Sequence, residues 1–195
     1  AAAGPGHAIG VNDDLSDYVP GFAGSKAGDL DVLGAFVTYN ASTDTFVFSG
    51  TMANDIGTTP GGFYVWGINR GLGTARFAGS GIGGVLFDTV LIVNADGSGS
   101  VNRLAGAGAG AANNIALAAG TAKNFGSTQI VSIAGSFLPS NGFAKADYTW
   151  NLWPRDGKLP NGFGQISDFA PDNSNLKVLR VGVVSSEPMA MHDKG

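Results

Sequence analysis

The chain has 195 residues, 44% of them hydrophobic and only 13% charged, with 32 glycines, no cysteine and a net charge of −4. That length suits one domain with a sizeable core, and twice the usual glycine with about half the usual charge suits short strands and tight turns rather than helices. Scattered Lys and Arg exclude a nucleic-acid footprint, absent cysteine excludes disulfides, thiolate metal sites and a cysteine nucleophile, and no apolar run reaches the ~20 residues that span a bilayer.

The opening AAAGPG consists of the small residues found just after a signal-peptidase cut, so a secreted bacterial protein, extracellular or at the cell surface, is expected. Residues 1–16 read as an extended segment, 17–184 as one domain and 185–195 as a tail. DLDVLGAFVTYN turns at ASTD and returns as TFVFSGTMA, a hairpin pattern. GFYVWGIN is apolar on both faces, as a strand in the middle of a packed sheet should be. GLGTAR lacks the third glycine and the βαβ setting of a dinucleotide loop, and reads as a turn. GGVLFDTVLIV and SGSVNRL flank NADG, where Asp96-Gly97 supplies the positive φ of a tight turn. AGAGAGAANNIALAAGTAKNFG reads as an irregular loop with at most one short helix near 111–119. TQIVSIAGSFL, ADYTWNLWP and NLKVLRVGVV complete eight to ten strands. The expected fold is all-β: a single antiparallel β-sandwich, jelly-roll or immunoglobulin-like, with a closed barrel as the alternative.

Catalytic equipment is sparse. There is no Gly-x-Ser-x-Gly elbow, and the two histidines, His7 and His192, sit in the opening and closing segments. Glu187 is the sole glutamate, which leaves little for a two-carboxylate glycosidase. The expectation is no enzyme.

Hard cations take oxygen ligands from Asp, Asn and loop carbonyls, and two clusters offer them. One is Asn12, Asp13, Asp14 and Asp17; the other is Asp168, Asp172 and Asn173, with Asp29 and Asp31 able to join either at an end of the sandwich. Calcium is the expected cofactor if there is one, with Asp29, Asp31, Asp168, Asp172 and Asn173 as its residues. Neither cluster has EF-hand spacing, and turn capping accounts for the same residues. Trp66, Trp150 and Trp153 could instead present a sugar-stacking face, although aromatics more often fill cores.

DLDVLGAFVTYN, TTPGGFYVWGINRGLGTARFA, GVLFDTVLIVNADGSG, YTWNLWPR and ISDFAPDNSNLKV together resemble exported bacterial β-sandwich proteins found beside surface-sorting tails or calcium-binding repeats. Their layout is similar to DOMON-like and family-9 carbohydrate-module sandwiches. The resemblance implies a sandwich over about residues 17–184 but no defined activity. DOMON-like members that bind haem use methionine and histidine, which here would mean Met52 with His7 or His192. MAMHDKG carries copper-type donors in a single short stretch. The leading functional expectation is a non-enzymatic extracellular structural protein, a fibre, matrix or surface-layer subunit, whose terminal segments and strand edges join it into a homo-oligomer or polymer. The alternative is a monomeric module binding polysaccharide or haem.

Overall fold

Alternation in the sequence becomes alternation in burial. In Thr45–Met52 (β3) every second residue is buried, so Phe46, Phe48 and Met52 point inward while Thr45, Val47, Ser49 and Thr51 point out. Strand side chains alternate between faces, so one such strand supplies one wall of a core. A computed structural model describes residues 10–110 and 113–182 and shows a β-sandwich of two six-stranded sheets.

The first sheet runs Gly10–Asn12 (β1), Val32–Asn40 (β2), β3, Thr128–Ala134 (β9) and Ala122–Phe125 (β8), with Leu179–Val181 (β12) also on β2. The second runs Leu176–Lys177 (β11), Thr149–Asp156 (β10), Gly62–Asn69 (β4), Thr89–Asn94 (β5), Gly99–Arg103 (β6) and Asn114–Ala116 (β7). All pairings are antiparallel except β12 on β2. The hairpins expected at 41–44 and 95–98 are present as β2–β3 and β5–β6, and Gly97 has φ 87° at the second turn. In the segment read as a loop with at most one short helix near 111–119, residues 114–116 form β7 against β6, because tertiary pairing overrides the weak helical propensity of a short Ala-rich run. NLKVLRV divides at Val178, its first part joining β10 and its second joining β2.

Trp66, Trp150, Tyr64, Phe46, Phe48 and Leu152 fill the space between the sheets. Trp66 donates to Gln129 Oε1 at 3.0 Å, which satisfies two polar groups inside that core. A smaller apolar cluster lies on the outer face of the second sheet, where Phe87, Ile166 and Phe169 cover Val65 and Trp153. The Trp153 ring crosses β4 so closely that a Cβ on Gly67 would sit 2.4 Å from it, so this position tolerates glycine alone.

Candidate metal centre

Three chain segments meet at one end of the sandwich. β1 pairs with β2, and Asp13 N donates to Leu33 O at 2.8 Å, which places Asp13 at the mouth of the sheet. The chain then turns through Ser16, at φ 64°, so that Ser16 N donates to Asp31 Oδ2 at 2.7 Å. Val19 N bonds Ser167 O, pinning Asp17 beside the segment that folds back along β10. That segment is held in turn by Ser167 Oγ on Leu30 O at 2.6 Å and by Val32 N on Asp168 Oδ2 at 2.9 Å.

The result is a cluster of four carboxylates, Asp13, Asp17, Asp168 and Asp172, each offering an oxygen within 4.8 Å of the others. Asp168 is fully buried and Asp13 and Asp17 half-buried. Asp13 Oδ2, Asp17 Oδ1 and Asp31 Oδ1 are buried oxygens with no hydrogen-bond partner. Among the described residues Asp13, Asp17 and Asp168 have no ion-pair partner. A cleft of about 300 Å³ opens beside them, lined by Asp17, Tyr18, Asp168, Phe169 and Asp172.

Such a gathering is electrostatically unfavourable by itself, because burial and like charge both oppose ionisation. Burial pushes Asp168 up to about 10, with the charges of Asp13 and Asp17 adding to the rise. Asp13 is pushed up to about 8, first by burial, then by its side-chain contact and like charge with Asp17. Burial also raises Asp17 and Asp31. With oxygen donors alone, no imidazole and no sulfur, the set suits a hard divalent cation. A bound ion would replace the shared protons and let the carboxylates ionise together.

The expected calcium residues divide. Asp168 and Asp172 lie in the cluster, and Asp31 adjoins it through Ser16. Asn173 lines the same cleft, but its Oδ1 accepts from Gly84 N at 2.7 Å. Asp29 turns away; its two oxygens accept from Thr59 N and Oγ1 at 2.7 and 2.6 Å. Asp13 and Asp17, placed by sequence in a separate cluster, supply half of this one. The DDLSD spacing was the available signal, and nothing local could show that it meets ISDFAPD. Asn12 and Asp14 are exposed.

The tryptophans offered as an alternative sugar-stacking face are all buried. Trp66 and Trp150 are completely buried between the sheets and Trp153 is 1% exposed on the other side of the second sheet, because their area stabilises a packed core more than a surface. Met52 is buried in the same core, so a haem would have to displace core side chains to reach it. His7, His192 and the MAMHDKG stretch lie outside the described residues. Comparison with family models, curated proteins and solved structures found no match to this chain.

Proposed function

We propose that this chain is a non-enzymatic extracellular β-sandwich stapled by calcium, with Asp13, Asp17, Asp168 and Asp172 as its protein ligands. The observation that carries this reading is the meeting of four carboxylates within 4.8 Å around buried, unpartnered oxygens. The ion's work is structural: it joins the segment after β1 to the segment after β10, tying an edge strand of one sheet to the other sheet. Extracellular calcium lies in the range that fills oxygen-only sites of modest affinity, with Kd of about 10⁻⁴–10⁻³ M. The low charge and high glycine content fit an exported protein, which would meet calcium in that range.

The test is thermal unfolding and calorimetric titration of EDTA-stripped protein. Calcium at about 100 times Kd adds about 2.7 kcal/mol, which for a domain of this size raises Tm by roughly 5–10 °C. Absence of both heat and shift overturns the reading.

A second reading, self-association into a homo-oligomer or polymer, is favoured by the outer face of the first sheet. Strands β2, β3 and β9 contain no charged residue, and Phe36, Phe125 and Ile130 stand exposed there among Ser and Thr. Lys123 of β8, opposite Ile130, puts one charge at the rim of this face, and apolar patches with exposed aromatics and a polar rim are typical of protein interfaces. Of the terminal segments first expected to make the joint, the described part of the first, residues 10–16, pairs through β1 with this chain's own β2, while residues 1–9 and 185–195 lie outside the described residues. Light scattering across a concentration series checks this reading: a second copy covering the face gives a dimer or larger that Ile130→Lys returns to monomer. A strict monomer at every concentration removes it.

A further inference from the structure

On the outer face of the second sheet, away from the carboxylates, a cleft of about 360 Å³ lies over β4, β5 and β10, large enough for a small organic ligand. Its floor is set by strand register: Val65 stands between Ile92 and Trp153, and Phe63 is opposite Arg155. Phe77 closes one end, edge-on to Trp153 with ring centroids 5.1 Å apart. No acidic residue lines the cleft, and two arginines do.

Those arginines are unusual in a chain of net charge −4. Arg76 lies with its guanidinium 5.8 Å from the Phe87 ring centre, and its side chain makes no hydrogen bond or ion pair among the described residues. Arg155 is held in place, Nε donating to Gln165 Oε1 at 3.0 Å and Nη2 to Gly162 O at 2.6 Å, yet no carboxylate pairs with it. Burial lowers its pKa, so its charge is held at a cost that a nearby anion would offset. Trp153 adds a buried Nε1–H with no acceptor. Natural structures rarely leave a buried donor unsatisfied.

We propose that this cleft binds a small aromatic carboxylate, its ring against the half-buried Phe63 and Ile92 and its carboxylate between Arg76 and Arg155. Guanidinium forks match carboxylates in geometry as well as charge. The mostly apolar walls select an aromatic body over a hydroxyl-covered sugar acid, whose polar groups would go unpaired. This site is independent of the calcium staple.

The experiment is calorimetric titration of the full chain at low salt with 1-naphthoate, its methyl ester and glucuronate. The expected order is naphthoate first, with ester and glucuronate each at least about tenfold weaker, since the ester loses the charge-assisted pair and glucuronate loses the apolar fit. Arg76→Ala, at an exposed residue, should keep the wild-type melting temperature and weaken naphthoate at least fivefold; Arg155→Gln should weaken it further. No naphthoate binding, equal binding of the ester, tighter binding of glucuronate, or unchanged affinity in a folded Arg76→Ala protein each overturns the proposal.

Discussion

Two regions of this molecule bury charge, and they do it in opposite ways. Behind the β4–β5 connection, fully buried Arg70 meets fully buried Asp88 at 2.8 Å. Arg70 spends its remaining donors on the carbonyls of Ala105, Ala107 and Pro139. Asp88 accepts from Arg70 N, Leu72 N and Asn141 Nδ2 on one oxygen and from Thr89 on the other. That knot is neutral and complete, and it holds two long loops to the sheet. At the acidic end, carboxylates meet with no cation opposite Asp13, Asp17 or Asp168 and with oxygens left over. Burial of charge is affordable only when the charge is paired and its lone pairs are used. Where the protein supplies the partner the purpose is architectural, and where it does not, the proposed calcium would complete the set.

The largest expected effect comes from breaking the complete knot. Arg70→Met strands Asp88 without its ion-pair partner, a loss of about 3–5 kcal/mol. The melting temperature should fall by roughly 6–20 °C, equally with and without calcium. A loss that calcium repairs would mean the two regions are one system.

Next in size is Asp168→Asn. The amide oxygen can still accept from Val32 N, so the fold survives in EDTA with its stability unchanged or raised, because an amide needs no proton taken up on folding. The calcium-induced rise in melting temperature should disappear. If it persists in full, Asp168 is not a ligand.

The pH dependence sharpens the contrast. Asp13 and Asp168 have folded values of about 8 and about 10 against an ordinary 3.8. A carboxyl raised in the folded state binds its proton more tightly there than in the unfolded chain. Its contribution is therefore fully present below pH 4 and is lost as pH rises through the folded value. In EDTA the protein should lose stability steadily from about pH 5 to 8. Saturating calcium should flatten that slope, since the ion replaces the protons. An EDTA profile that rises over the same window would contradict protonated carboxyls in the apo cluster.

The smallest effect tests a residue that sequence reasoning grouped with the ligands. Asp29→Asn weakens the bonds to Thr59 and costs about 1 kcal/mol, but it should leave the calcium increment untouched. Differential scanning fluorimetry with and without the ion reads both.

Most of the sandwich was legible in the sequence. Period-two alternation in TFVFSGTM, the doubly apolar GFYVWGIN and the Asp96-Gly97 turn are local features, and local features set strands and hairpins. β1, β7 and β8 were missed because three- and four-residue strands carry too little pattern, and the division of NLKVLRV at Val178 depends on which neighbour each half meets. Of the cation cluster, the residue types were legible and the grouping was not. Asp17 and Asp168 are neighbours because Val19 bonds Ser167 and Val32 bonds Asp168, links that span 136 residues in the second case.

By itself, then, the sequence determined an all-β chain rich in turns, low in charge and supplied with loop aspartates, because those properties depend on residues close along the chain. Tertiary structure alone decided that the tryptophans are core, that Asp29 serves Thr59, and that aspartates from opposite ends of the chain meet around one point. Coulomb and desolvation energies depend on distance in space and on burial, and neither is defined until the sheets have packed.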